Sequence, residues 1–319
     1  MIKFIYILLS SFAKNKYVRK INKSFDLLKL TSGITLVDVG AAGEIMPRWK
    51  RIQQYLNYHG FEPDERSRKS LLNKPNACLS YTIHEKIVGS HTSDSTLHLC
   101  SIPTNSSTYI PNKSFNQLFA DKERFNVVDS IELPTSTLDV LDLKEIDFIK
   151  LDIQGGELNA LKGAKESLEK VIALEIEIEF QPIYKDQPLF NDINSYLQKH
   201  GFEFIDFSRL VRWGREDIYT TVGQCVWGDA LFMRTPEYII QRKDDVNLVK
   251  KYLAICLLYH RYDYISVIKN QGKISIDPLF FKKAEGLKKE FYSNQLIKRR
   301  LNNILNLFRF FDEEIYSLH

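Results

Sequence analysis

The order of apolar and polar positions divides this chain into alternating strand-like and helix-like stretches. Ile34 to Gly40 is a nearly unbroken apolar run, interrupted only by Thr35 and Asp38, as expected of a strand buried on both faces. Residues 44–56 read as a helix. Tyr58 to Asp64 (YHGFEPD) reads as a second strand, ended by Pro63. Residues 81–89 and 95–102 read as two more strands. The Ser-, Thr- and Asn-rich stretch 103–112 reads as a loop. Ile146 to Leu151 is again a strand, apolar except for Asp147 and Lys150. Leu158, Leu161, Ala164 and Leu168 then recur at helical spacing.

Val171 to Phe180 alternates Glu175, Glu177 and Glu179 with Ile176 and Ile178. A period of two sets the three acids on one face. Burying unpaired carboxylates is costly, so that face is expected to meet solvent or to form the acidic wall of a site. A helix at 189–200 is stopped by Gly201, and a strand at 202–207 follows. An insertion carrying Arg209, Arg212, Trp213 and Arg215 separates it from a last strand at 228–234. Strands alternating with helices over 34–235 predict an α/β fold with a doubly wound sheet. Beyond Pro236 the pattern is helical only, at 246–258, 262–268 and 278–311. The expected organisation is a basic helical segment at 1–33, the α/β domain at 34–235 and a helical C-terminal region at 236–319.

Composition narrows the class. The 319 residues, 44% hydrophobic and 26% charged, suit a soluble globular protein. A net charge of +4 is far below that of a dedicated nucleic-acid binder, so none is expected as partner. The four cysteines are scattered without a CxxC pair, which favours reduced thiols and a cytoplasmic location. Residues 1–23 carry six basic residues and no acid, and 281–300 carry seven Lys or Arg against two Glu. Both segments suit contact with an anionic membrane surface or carrier at the inner face of the membrane; the plainer alternatives are an N-terminal helix packed on the domain and a solvated helical appendage. The apolar run Phe4 to Leu9 is too short to span a bilayer.

Three stretches carry candidate chemistry. LVDVGAAGE (36–44) combines Asp38 with a small-residue turn of Gly40, Ala41, Ala42 and Gly43, which lets a ligand approach the backbone. Glu62 follows about twenty residues later, the spacing of an acid that accepts hydrogen bonds from ribose hydroxyls. Asp152 ends the third buried strand, with Glu157 in the first turn of the next helix and Glu175 on the strand beyond. His84, His91 and His98 recur every seven residues, a spacing that fits no common zinc pattern, and no metal is expected.

Together with STLDVL (136–141), IDFIKLDIQGGELNALKGA, VIALEIE and DALF, these stretches resemble the FkbM family of S-adenosylmethionine-dependent methyltransferases. The resemblance covers about 34–235. It implies the Rossmann-like class I methyltransferase sheet, mostly parallel and seven-stranded with one antiparallel strand. It also implies S-adenosyl-L-methionine as cofactor and O-methylation, often of a sugar in a glycan or related glycoconjugate. By this likeness Asp38, Gly40, Ala41, Ala42, Gly43, Glu62, His84 and Asp152 form the cofactor set. Asp152, Glu157 and Glu175 are the catalytic candidates. The family often has Glu where this chain has Gln154. Tyr109, His84 and Arg212 are candidates for the acceptor pocket.

Two other classes remain at this stage. An NAD(P)-dependent sugar-modifying enzyme shares the turn-plus-acid pattern, but the turn is not GxGxxG. The Tyr109–Lys113 spacing also contains Pro111, which disfavours a helical Tyr–Lys pair. A non-catalytic glycan-assembly or scaffold protein on the same fold would not need Asp38, Glu62 and Asp152 together.

Overall fold

The computed structural model describes residues 17–293 except 142, 144, 216–222, 272 and 273, together with residue 296. The chain divides into two compact units. One is 30–239, and the other joins residues up to 29 with those from 240 onward.

The larger unit holds ten strands: β1 Ile34–Val39, β2 Leu56–Phe61, β3 Ser80–His84, β4 Ile87–Val88, β5 Ser93–Cys100, β6 Val127–Ser136, β7 Phe148–Leu151, β8 Ala173–Glu179, β9 Glu203–Trp213 and β10 Gln224–Met233. Seven of them form one sheet in the order β3-β2-β1-β7-β8-β10-β9. Its neighbours are parallel except that β10 runs antiparallel to both β8 and β9. This is the sheet implied by the resemblance. A smaller sheet, β4-β6-β5, stands beside it. The strand order reverses direction at β1 and β7, the place where open α/β sheets bind ligands.

One face of the large sheet is apolar. Val37, Val39, Ile149, Leu151, Leu174, Ile176 and Ile178 pack there with Ala160, Leu161, Leu168, Ile193 and Leu197 from the following helices. The alternation read in β8 therefore holds: its isoleucines face this core and its glutamates face the other way. Those glutamates are nonetheless buried, with relative exposures of 2%, 8% and 1% for Glu175, Glu177 and Glu179. Solvent does not reach that face of β8.

Several boundaries shift from their sequence-based positions. Residues 44–56 hold a short helix at Pro47–Lys50 and a single tighter turn at Gln53–Tyr55 in place of one long helix. The stretch containing Arg209, Arg212 and Trp213 is no insertion, because β9 runs unbroken to Trp213 and pairs with β10. A second apolar cluster, including Phe119, Phe125, Tyr184, Val211, Trp213 and Val226, explains why: it packs the extended hairpin onto residues 109–126.

In the smaller unit, Val246–Leu258 and Tyr262–Gln271 are helical, as is 278–293. The Tyr17 and Tyr262 hydroxyls meet at 2.5 Å. Residues 1–16 of the basic N-terminal segment, and 294, 295 and 297–300 of the second basic stretch, lie outside the described residues. All four cysteines are free. Among the described residues no helix is long and apolar enough to cross a membrane.

Gly163 ends the helix that starts at Glu157, and it locks that helix onto the smaller sheet. A Cβ there would stand 2.0 Å from the Gly89 carbonyl oxygen and 3.1 Å from Thr137. Gly163→Ala should therefore destabilise the protein by roughly 1–3 kcal/mol through overpacking. Gly286→Ala, which meets nothing within 4 Å, should be neutral or slightly stabilising in its helix. Thermal denaturation of the two variants checks this contrast.

Candidate functional site

The site begins with a row of charges across the sheet. Asp38 lies opposite Lys150 in the β1–β7 register, and Lys150 lies opposite Glu175 in the β7–β8 register. Asp38 and Lys150 stand one residue before the carboxyl ends of their strands, and Glu175 stands third in β8. The Lys150 ammonium sits 3.2 Å from Asp38 Oδ1 and 3.3 Å from Asp152 Oδ2. The Tyr58 hydroxyl donates to Asp38 Oδ2 at 2.9 Å. Arg48 closes the far end of the row, 3.1 Å from Glu175 Oε2, while Ser208 Oγ donates to Glu175 Oε1 at 2.6 Å.

Lys150 is the cation that lets Asp38 and Asp152 stand this close. Burial works against its charge, but the two carboxylates outweigh it and hold its proton tightly. Burial pushes the Asp38 carboxyl up, against the pull of Lys150 and Tyr58. The ion pair wins, because moving the Lys150 proton onto Asp38 would strip Asp152 of its counter-charge.

The turn after β7 is built by its own side chains. Gln154 occupies the left-handed region at φ 58°, uncommon for a residue with a Cβ. Its amide donates to Asp152 Oδ1 at 3.2 Å and to Glu177 Oε1, and its oxygen accepts from the Tyr184 hydroxyl at 2.9 Å. Glu157 reaches back to accept from the Ile153 backbone N–H at 2.7 Å. Gly40 packs directly beneath this turn. Its φ is +80°, and a Cβ would lie 1.8 Å from the Asp152 carbonyl oxygen, so only glycine fits.

These elements border a cavity of about 680 Å³. That volume lies in the range of roughly 300–1,000 Å³ found for small-molecule sites. Gly40, Ala42, Glu62, Asp152, Ile153 and Gln154 line one part of it. Ser95, Thr96, His98, Ser107, Tyr109 and Asn159 line another. Glu62 lies just past the end of β2. Its Oε1 accepts from the Asp64 backbone N–H at 2.9 Å, and among the described residues no group pairs with Oε2. Burial pushes the Glu62 carboxyl up to about 7.

The structure thus brings Gly40, Ala42, Glu62 and Asp152 to one cavity. Asp38 on β1, and Ala41 and Gly43 in the turn after it, do not line it, and Gly43 borders a separate, smaller pocket. Glu157 and Glu175 stand behind the wall, engaged by Ile153 and by Arg48 with Ser208. His84 lies apart from the cavity: it stacks on Phe61 at 4.3 Å and faces His59, with 3.3 Å between ring nitrogens. His91, His98 and Tyr109 do line it, and Arg212 does not. Among the described residues no cluster of His, Cys, Asp or Glu is arranged to hold a metal ion.

Sequence reading noted Lys150 and Gln154 without giving them a role, and did not single out Tyr184. The available signal was positional. Asp38 and Lys150 are each the lone charge one residue before the end of a buried strand, with opposite signs.

The sequence matches the family profile "Methyltransferase FkbM domain" over residues 39–204, more than half of the chain. The chain belongs to the FkbM methyltransferase family. The FkbM match runs from the last residue of β1 into β9 and takes in the cavity-lining residues named above. No curated protein matches the sequence. Among solved structures, a methyltransferase FkbM from Methylobacillus flagellatus KT is similar at 18% identity and a TM-score of 0.39. The match covers 63% of this chain and 44% of that one, so this chain spans less than half of that relative. A putative RNA methyltransferase from Pyrococcus horikoshii is similar at 11% identity and a TM-score of 0.31, over 69% of this chain and 82% of that one. A precorrin-6y C5,15-methyltransferase from Geobacter metallireducens GS-15 is similar at 9% identity and a TM-score of 0.33, over 67% and 88%. At these scores the structural likenesses carry no argument about substrate.

Two predictions follow from the geometry. Lys150→Met leaves Asp38 and Asp152 facing each other without their cation, and should cost roughly 3–5 kcal/mol of stability, read from denaturant unfolding. The second concerns pH. Burial raises the carboxyls of Glu62 and Glu157 to about 7. Between the unfolded value of about 4.3 and 7, the folded protein keeps protons that the unfolded chain releases, so stability should fall as pH rises through that window. Melting temperatures across it should decline, and the decline should be shallower in Glu157→Gln.

Proposed function

We propose that this FkbM-family protein is an S-adenosylmethionine-dependent O-methyltransferase acting on a hydroxyl of a sugar in a glycan or related glycoconjugate. The observation that carries the reading is Glu62, whose free carboxyl oxygen faces the same cavity as the Gly40–Ala42 turn and Asp152. That is the arrangement a ribose-bearing ligand needs: an acceptor for two neighbouring hydroxyls, and a backbone turn that allows close approach.

S-adenosylmethionine, when bound, supplies an electrophilic methyl group on sulfonium sulfur. Glu62 would hold the ribose hydroxyls, and the small residues at 40 and 42 would let the ligand lie against the β1 turn. Asp152 is the exposed member of the charge row, its side chain 34% accessible against 4% for Asp38. It is placed to accept a hydrogen bond from an acceptor hydroxyl and so to turn that oxygen's lone pair toward the reaction. Lys150 and Gln154 hold one Asp152 oxygen each, which fixes the carboxylate's orientation. Positioning of this kind supplies much of the rate in an in-line displacement. Serine, threonine, tyrosine and asparagine side chains along the wall favour an uncharged polyhydroxyl acceptor over an apolar one.

Glu62→Ala should weaken S-adenosylmethionine binding by roughly 10- to 100-fold, the cost of losing about 1.5–3 kcal/mol of hydrogen bonding to a charged group. Titration calorimetry measures it, and an unchanged dissociation constant would remove the ribose assignment. Asp152→Asn should bind the cofactor almost normally while losing most turnover, followed as methyl incorporation into cell-surface glycans by mass spectrometry.

A further inference from the structure

We propose that Tyr109 anchors the acceptor by donating its hydroxyl proton into the cavity, and that Asn159 sets the direction of that proton. This rests on reading the cavity as a methyl-transfer site. Both residues line the cavity with Asp152 and Gln154. The Tyr109 ring packs against the apolar cluster that contains Phe119 and Tyr184. The Asn159 amide Nδ2 donates to the Tyr109 hydroxyl oxygen at 3.1 Å. An amide nitrogen can only donate, so the phenol is the acceptor in that bond and its own proton points elsewhere. Among the described residues no other group takes that proton. Burial pushes the Tyr109 phenol up, so it keeps its proton throughout the neutral range.

The residue is also held in place before any ligand arrives. The Tyr109 backbone N–H donates to Ser107 Oγ at 2.9 Å, and Ser107 Oγ donates to the Gln154 carbonyl oxygen at 2.7 Å. The Lys185 backbone N–H donates to the Ile110 carbonyl oxygen at 2.9 Å, and the Asn112 N–H to that of Ile183 at 2.8 Å. The loop bearing Tyr109 is thereby tied to the turn bearing Asp152. The cavity then offers Asp152 as an acceptor and Tyr109 as a donor for the same ligand. A compound with neighbouring hydroxyls satisfies both at once. A carboxylate or phosphate at the Asp152 end would meet like charge, and an ammonium would have no lone pair for Tyr109.

The test uses the full chain saturated with S-adenosylhomocysteine. The probes are methyl α-D-glucopyranoside, methyl α-D-galactopyranoside and methyl α-L-rhamnopyranoside, with binding followed by saturation-transfer NMR. Tyr109→Phe removes the donor. Asn159→Asp keeps the shape, but its carboxylate accepts the phenol proton and turns it away from the cavity. Each should weaken the bound glycoside roughly 3- to 10-fold, the loss of one hydrogen bond. The double variant should be no worse than either single one, and S-adenosylhomocysteine affinity by calorimetry should be unchanged in all. Unchanged glycoside affinity in either single variant overturns the proposal, as does the absence of glycoside binding to the loaded wild-type protein. If S-adenosylhomocysteine itself fails to bind the wild-type protein, the methyl-transfer reading falls and the inference falls with it.

Discussion

The buried ammonium of Lys150, shared between Asp38 and Asp152, is the interaction on which this site depends. Two carboxylates at the ends of adjacent strands repel each other and resist burial. Lys150, on β7 two residues before Asp152, sets a cation between the two carboxylates and reverses both effects. With Lys150 in place, Asp38 can be buried to 3% exposure at the heart of the sheet, and Asp152 can face the cavity as an oriented carboxylate. The ion pair also fixes the relative depth of the β1 and β7 turns. Gly40 then fits under the Asp152 carbonyl, where no side chain has room.

Behind this pair the sheet carries more acid than its cations neutralise. Arg48 and Ser208 satisfy Glu175, and Gln154 donates to Glu177. Among the described residues neither oxygen of Glu179 has a hydrogen-bond partner. Burial, with repulsion from neighbouring carboxylates, pushes the Glu177 and Glu179 carboxyls well above their usual range and so toward the protonated form. A neutral carboxyl is far cheaper to bury than a charged one. The β8 face is therefore enclosed and neither meets solvent nor lines the cavity, and Gln154, which does line the cavity, joins Glu177, Tyr184 and Asp152 in one network.

Much of this was legible in the sequence, for reasons that can be named. Buried parallel strands read as apolar runs, so β1, β7 and β8 stood out, and the acids at their ends marked the side where a ligand binds. The mostly parallel seven-stranded sheet and its single antiparallel strand followed from the resemblance carried by those motifs. What was not legible depends on contacts across the sheet. Lys150 reads as a stray charge until the register sets it opposite Asp38. Glu157 looks like a candidate base until its carboxyl is seen to bond the Ile153 N–H. His84 shares a seven-residue spacing with His91 and His98, yet β3 turns it toward His59 while the other two reach the cavity. The strands read at 202–207 and 228–234 are there, but their extension into a long β9–β10 hairpin was missed because it packs on Phe119, Phe125 and Tyr184, far away in sequence.

A crystal structure of the complex with S-adenosylhomocysteine tests the account most directly. The account predicts the ribose hydroxyls on the Glu62 carboxyl, the thioether sulfur on the Asp152 side of the cavity, and Lys150 still bridging Asp38 and Asp152. A ligand bound away from Glu62, or a Lys150 side chain released from Asp152 in the complex, would contradict it.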